Sequence, residues 1–281
     1  MLQPEIHANS HAASILISAL EIIERSPLLT VDAPAVVALL VPVNAMDVDK
    51  VSAEVEGSIA EGFRTLKVKA GFDVDADLKR VVAIQRALGG RAMIRLDANP
   101  AYSVDQGRRF AAALDPTSIE LFEQPCDRAD WAANAAVAAV SRTGDARRVD
   151  LRNRRDRARR GHRGRGLRQG ELKKLGSLVQ LEAALKRIAG LGLTAVLGDG
   201  TATDISCWME ACVARTAINN NGENNDFLKL TAPLFRDPLP FARGAIRLPA
   251  GWWPDVVNET SLRKVSAEIG RFTTVSLAAV H

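Results

Sequence analysis

From Val41 to Val140, short apolar runs alternate with longer stretches in which apolar residues recur every three or four positions. A run of the first kind reads as a buried strand and a stretch of the second kind as an amphipathic helix. The runs VPVNA (41–45), TLKVK (65–69), AMIRLD (92–97) and IELFE (119–123) predict strands, with helices at 48–61, 74–88, 103–114 and 130–140. Strand and helix alternating at repeats of roughly 25 residues are the βα units of a parallel sheet, and the spacing fits a (β/α)8 barrel. After Leu172 the alternation resumes, with a helix in LVQLEAALKRIAGLGL, a strand in TAVLG (194–198) and an apolar helix in ISCWMEACVAR (205–215).

Residues 142–170 interrupt this pattern, having neither a period nor a four-residue apolar run. Their Arg, Gly and Asp bias predicts a segment without a core. The expected fold class is therefore α/β, a (β/α)8 TIM-type barrel that is incomplete by about two strands.

Composition changes this picture in one place. The chain has 281 residues, 47% of them hydrophobic, enough for one large domain or two small ones with a substantial core. The net charge of +4 comes from Arg142–Gln169, where twelve arginines face three aspartates; the rest holds 25 basic and 30 acidic residues. Outside that segment there is no basic face, so a nucleic acid is not the expected partner. The start lacks a basic leader pattern, and no apolar run approaches the roughly 18 residues that cross a bilayer, so a cytoplasmic location with no membrane contact is expected. Cys126, Cys207 and Cys212 are too scattered for a disulfide framework or a zinc site and read as buried thiols. His7, His11, His162 and His281 fall in the tails or the anomalous segment, which leaves no histidine base.

In a (β/α)8 barrel the reacting groups sit at the C-terminal ends of the strands, so the polar residues closing each apolar run are the candidates. The second strand closes with Lys67 and Lys69, two residues apart and hence on one side; the third closes with Asp97, with Asn99 just beyond; the fourth closes with Glu123. Two carboxylates on neighbouring strand ends are suited to a hard divalent cation such as Mg²⁺. An amine beside such a cation can remove a proton while the cation stabilises an enolate oxygen, which points to carbanion chemistry next to a carboxylate. A strand-terminal lysine or aspartate taken singly is more often a solvated rim residue; the joint placement on consecutive strand ends is what carries the reading.

The segments LKVKAG, IRLDAN and ELFEQP, in this order and spacing, resemble the enolase superfamily, in its mandelate racemase and muconate-lactonizing branch. The closing segment FRDPLPFARGAIRLPAGWWPDV is similar to that family too, so the likeness covers about residues 15–140 and 171–260. The resemblance implies Lys69 as the principal acid/base, Lys67 as its electrostatic helper and substrate-carboxylate contact, and Asp97 and Glu123 as two of three Mg²⁺ ligands. Asn99 joins them as a candidate substrate contact, as do Asp199 in LGDGTATD and Glu223 in NNNGENND, although the glycines around Asp199 are more simply a turn. The implied substrate is a small carboxylate or amino-acid derivative; homo-oligomerisation stays open.

The chain departs from the family in two places. The fifth-strand LDES-like segment that supplies the third metal ligand is absent, and Glu171 stands where a sixth-strand lysine is expected. Starting the codons of Thr143–Arg152 one base later permits P-x-M-L-D-E-S-I-Y, and those of Leu167–Gly170 then permit F-V-K, so residues 142–170 are compatible with a shifted reading frame. The second departure is at the start, where residues 1–40 leave room for only a remnant of the family's capping domain, ahead of a barrel at 41–250 and a tail at 251–281.

The expected function is Mg²⁺-dependent removal of a proton α to a carboxylate, by a racemase, epimerase, cycloisomerase or dehydratase lineage, with this chain impaired by the missing groups. The alternatives are an inactive barrel carrying an Arg-rich nucleic-acid-binding arm and a non-functional frameshifted product.

Overall fold

The computed structural model describes residues 10–127, 129–141, 149–150, 167–198, 202–252 and 257–265. Helix α1 (Ser10–Ile23) leads into two short strands, β1 (Thr30–Val31) and β2 (Ala35–Ala38). The βα units follow: β3 (Val41–Val43), α2 (Val48–Ala60), β4 (Thr65–Lys69), α3 (Val74–Leu88), β5 (Met93–Asp97), α4 (Val104–Ala113), β6 (Ile119–Glu123), α5 (Trp131–Val140) and β7 (Val149–Asp150). Then come β8 (Leu167–Gly170), α6 (Leu172–Leu175), α7 (Leu178–Gly190), β9 (Thr194–Leu197) and α8 (Asp204–Ala217). Strands β10 (Phe241–Ala242), β11 (Ala245–Leu248) and β12 (Gly251–Trp252) and helix α9 (Glu259–Val265) complete the order.

Strands β3 to β7 form one parallel sheet in chain order, and β8 pairs in parallel with β9. The predicted boundaries hold closely, because the ends of these elements carry their own signals. Asp73 caps α3 by accepting from Asp75 N and Ala76 N, and Gly89, at φ 52°, releases the chain at its other end. Ser103 and Gln106 make a reciprocal capping box at the start of α4.

The two-residue period of each strand divides its side chains between two environments. In β4, Leu66 and Val68 join a core with Val51 and Val55 of α2 and Val81 and Ile84 of α3, while Lys67 and Lys69 occupy the alternate positions. A second core packs Leu181 and Leu185 of α7 with Trp208 and Met209 of α8, and it takes in Val37 and Ile246 from the antiparallel strands. Those strands tie the two ends of the described fold together, since β2 pairs with β11 and β1 with β12.

One expectation needs correction. The Arg-rich stretch was expected to hold no strand, yet β7 and β8 lie in it at the fifth and sixth positions of the ring. Neither needs a local apolar pattern, because the neighbouring strand supplies the order: Phe122 and Glu123 pair with Val149 and Asp150, and Leu167 to Gly170 pair with Thr194 to Leu197. Gly170 also lets Leu181 and Leu185 pack onto the backbone, where a Cβ would meet either side chain at 3.1 Å. Among the described residues no ladder joins β7 to β8, so the ring is incomplete at this seam.

At the eighth position the strand shrinks to Gly222 and Glu223. Glu223 N donates to Leu197 O (3.1 Å), Leu40 N to Gly222 O (2.9 Å) and Gly222 N to Ala38 O (2.9 Å), which joins β9 to the segment entering β3. Asparagine amides supply what a longer strand would. Asn220 Nδ2 donates to Ala195 O (2.7 Å), Asn221 Nδ2 to Leu39 O (3.0 Å) and Asn225 Nδ2 to Leu40 O (2.7 Å).

Candidate active site at the strand ends

Register brings the predicted residues together. Lys69 pairs with Asp97 and Asp97 with Glu123 across adjacent parallel strands, so three polar side chains close β4, β5 and β6 at one level. The Asp97 and Glu123 carboxylates are buried, at 4% and 3% exposure. Just beyond them the chain turns through left-handed backbone at Asn99 (φ 45°) and Gln124 (φ 46°), and Asn99 N donates to Asp97 Oδ1 at 3.0 Å. Left-handed backbone outside glycine is uncommon, and asparagine tolerates it best.

Asp97 Oδ2 receives both ammonium groups, Lys69 Nζ at 2.7 Å and Lys67 Nζ at 3.2 Å. Lys69 also reaches Asn99 Oδ1 at 3.2 Å, and Lys67 reaches Glu223 Oε2 at 3.0 Å. The side chain of Lys69 is 45% exposed and that of Lys67 is 16% exposed, so Lys69 alone of the pair is open to an incoming molecule. Burial works against the Lys67 ammonium, but the carboxylates of Glu223 and Asp97 outweigh it and hold its pKa above the ordinary lysine value. Burial likewise opposes the Asp97 carboxylate, and Lys67 and Lys69 together hold its pKa below the usual aspartate range. Both groups stay charged.

One layer deeper, Arg95 is 1% exposed and bonds Glu120 Oε1 (3.0 Å), Asn220 Oδ1 (3.1 Å) and Asn221 O (2.9 Å). This pair, with Arg95 buried and Glu120 half-buried, stands one strand alternation below Asp97.

Of the residues expected from the sequence, Lys67, Lys69, Asp97, Asn99 and Glu223 form one bonded cluster, and Glu123 stands beside Asp97 in register. Asp199 lies outside the described residues. Glu171 follows directly on β8, is 6% exposed and accepts from Lys174 Nζ at 2.6 Å.

Sequence reasoning passed over Asp150. Its backbone pairs with that of Glu123, at the end of the next parallel strand. The signal was an acidic residue closing a strand, hidden because β7 is only two residues long and arginine-flanked.

For a hard divalent cation, the donor chemistry at this level is apt, since Asp97 and Glu123 offer buried carboxylate oxygens on adjacent strand ends. Among the described residues no group of three or more Asp, Glu, His or Cys side chains is placed to hold an ion. The residues fit Mg²⁺ in kind, with two donors here and the backbone of Asp150 at the next register position.

The pattern of the enolase C-terminal domain-like family matches residues 50–252. An aromatic dipeptide epimerase of Herpetosiphon aurantiacus is 33% identical over 210 residues, covering 72% of this chain and 56% of that protein. An L-Ala-D/L-Glu epimerase of Bacillus subtilis is 31% identical over 87 residues, covering 30% of this chain and 24% of that protein. Among solved structures, a mandelate racemase/muconate lactonizing protein from Herpetosiphon aurantiacus superposes with a TM-score of 0.70 at 22% identity, covering 88% of this chain and 73% of that one. Muconate lactonizing enzyme from Pseudomonas putida gives 0.66 at 18% identity, covering 82% and 65%. These superpositions show the fold. The chain spans 56% of the length of the aromatic dipeptide epimerase that it matches.

Proposed function

Since the chain belongs to the enolase C-terminal domain-like family, we propose that its barrel removes a proton α to the carboxylate of a small amino-acid-derived substrate, with Lys69 as the base. The observation that carries this reading is the meeting of the Lys69 ammonium with the buried Asp97 carboxylate at 2.7 Å, at the open strand ends and level with Glu123. The epimerases among its relatives support an amino-acid derivative, of the dipeptide kind, as the substrate.

Lys69 would take the α-proton in its neutral form, held by Asn99 and Asp97 so that its nitrogen is aimed before substrate arrives. Lys67 stays charged between Glu223 and Asp97, and its fixed positive charge favours a substrate carboxylate near it. Asp97 and Glu123 would hold Mg²⁺, which when bound stabilises negative charge growing on the substrate carboxylate.

Full epimerisation needs a second acid/base on the opposite face of the α-carbon. Lys69 serves one face, and Glu171, tied to Lys174, stands where the resemblance expects the second lysine. The proposal is therefore that proton exchange outruns inversion, since losing one partner of a catalytic pair costs several orders of magnitude in rate.

The test is proton exchange in D₂O with Mg²⁺ over a panel of L,L- and L,D-dipeptides, followed by NMR. Deuterium entering the α-position of one epimer, with little inversion and none in Lys69→Gln, is the expected result. Absence of exchange across the panel in the wild type would sink the reading.

A further inference from the structure

Helix α3 reaches the strand ends through two buried charged residues that the proposed chemistry does not use. Arg80, 3% exposed, donates from Nε to Ala45 O, from Nη1 to Lys69 O and from Nη2 to Val43 O, each at 2.8 Å. These carbonyls belong to the last residues of β3 and β4 and the turn after β3, including the carbonyl of Lys69 itself. One turn earlier, Asp77, also 3% exposed, accepts at Oδ2 from Gly71 N (3.0 Å), Phe72 N (3.0 Å) and Tyr102 Oη (2.6 Å).

The two loops that Asp77 joins leave the strands carrying Lys69 and Asp97. They are already pressed together: Ala70 N donates to Asp97 O at 2.9 Å. At Gly71 (φ 98°), moreover, a Cβ would meet Ala98 O at 2.6 Å. Burial pushes the Tyr102 phenol well above its ordinary range, and its bond to Asp77 adds to this, so it stays a donor. Two apolar side chains would fill this volume without the cost of desolvating charge. What an arginine fork and a carboxylate add is direction, because each fixes several main-chain groups at once.

We infer that Asp77 and Arg80 are positioning residues that set where Lys69 and Asp97 stand at the strand ends. The inference rests on the reading of those two as the reacting groups, and its test separates the two ideas.

The wild-type chain and the variants Arg80→Lys, Arg80→Met, Asp77→Asn and Tyr102→Phe are reductively methylated with ¹³C-formaldehyde. The dimethylated Lys69 signal, assigned with Lys69→Arg, reports the surroundings of its nitrogen. Mn²⁺ affinity is read by electron paramagnetic resonance and thermal unfolding is recorded alongside. Asp204→Asn serves as the structural control, because Asp204 is 2% exposed and accepts from Leu234 N and Phe235 N away from these loops.

The expected result is a displaced Lys69 signal and Mn²⁺ binding weaker by about tenfold in the Arg80 and Asp77 variants, with a lower melting temperature alone in Asp204→Asn. A Lys69 signal unmoved in folded Arg80 or Asp77 variants overturns the inference. If Arg80→Met does not fold, Arg80→Lys and Tyr102→Phe decide it by the same signal. A wild type that binds no Mn²⁺ while its Lys69 signal still follows Arg80 upholds the positioning and removes the metal from the proposed function.

Discussion

The Lys67 ammonium lies 3.0 Å from the Glu223 carboxylate, a residue 156 positions later, and 3.2 Å from Asp97. One cation from the second position of the ring thus bridges two buried carboxylates that come from the third and eighth positions.

Replacing Lys67 with Met should remove the cation between Glu223 and Asp97, leave Lys69 as the ammonium on Asp97, and lower stability by about 3 kcal/mol. Adding Glu223→Gln should recover part of that loss, and a double-variant cycle by urea denaturation measures the coupling. Additive effects would show that the contact contributes nothing.

Much of the site could be read from the sequence because each part carried its own local signal. TLKVK and IELFE are the whole of β4 and β6, and their alternation places Lys67, Lys69 and Glu123 without help from distant residues. The unread parts depend on partners. β7 is ordered by pairing with β6, β8 by pairing with β9, and the eighth position by asparagine amides bonded to carbonyls of residues far away in the chain. The bond from Lys67 to Glu223 followed from ring geometry that no single window of sequence contains. Asp77 and Arg80 looked like ordinary polar residues of an amphipathic helix, since burial of a charge is invisible until its acceptors are placed.

Glu21 should make stability fall as pH rises. Burial raises its carboxyl pKa above the ordinary 4.5, against the lowering effect of the Leu178 and Val179 amides. The native state therefore binds the proton more tightly than the unfolded chain does. The stabilisation is fully present below pH 4.5 and is lost as pH climbs through the raised native value. Glu21→Gln keeps the acceptor for Leu178 N and removes the charge. Its melting temperature should exceed that of wild type at neutral pH and converge with it in acid; a constant gap would refute this account.

All three thiols should be inert in the folded chain. Cys126, Cys207 and Cys212 are 2%, 0% and 1% exposed, and burial pushes the Cys212 thiol up to about 12. Ellman's reagent at mild alkaline pH should react only as fast as the protein unfolds. A rapid native-state reaction of any of the three would contradict the packing.

Two glycines of one βα unit should respond in opposite directions to alanine. Gly62 has φ 98°, and a Cβ there would lie 2.5 Å from the Arg243 backbone, so Gly62→Ala should destabilise by about 2 kcal/mol. Gly57 sits inside α2 with nothing within 4 Å, so Gly57→Ala should stabilise by about 0.5 kcal/mol. Chemical denaturation of the two variants checks both signs.

The asparagine-rich eighth position also bears on how the molecule ages. Asparagine is a thermally labile residue, and before glycine it is at its weakest, because the unshielded glycine nitrogen can attack the side-chain carbonyl and expel ammonia. At Asn221–Gly222 that nitrogen is donated to Ala38 O at 2.9 Å and the Asn221 amide to Leu39 O at 3.0 Å. The bonds that close the ring therefore also hold both reactants of deamidation away from each other. Each opening of this seam exposes the pair, and an aspartate left at 221 would turn a donor into a charge facing the Leu39 carbonyl, so that the damage would keep the seam from closing again.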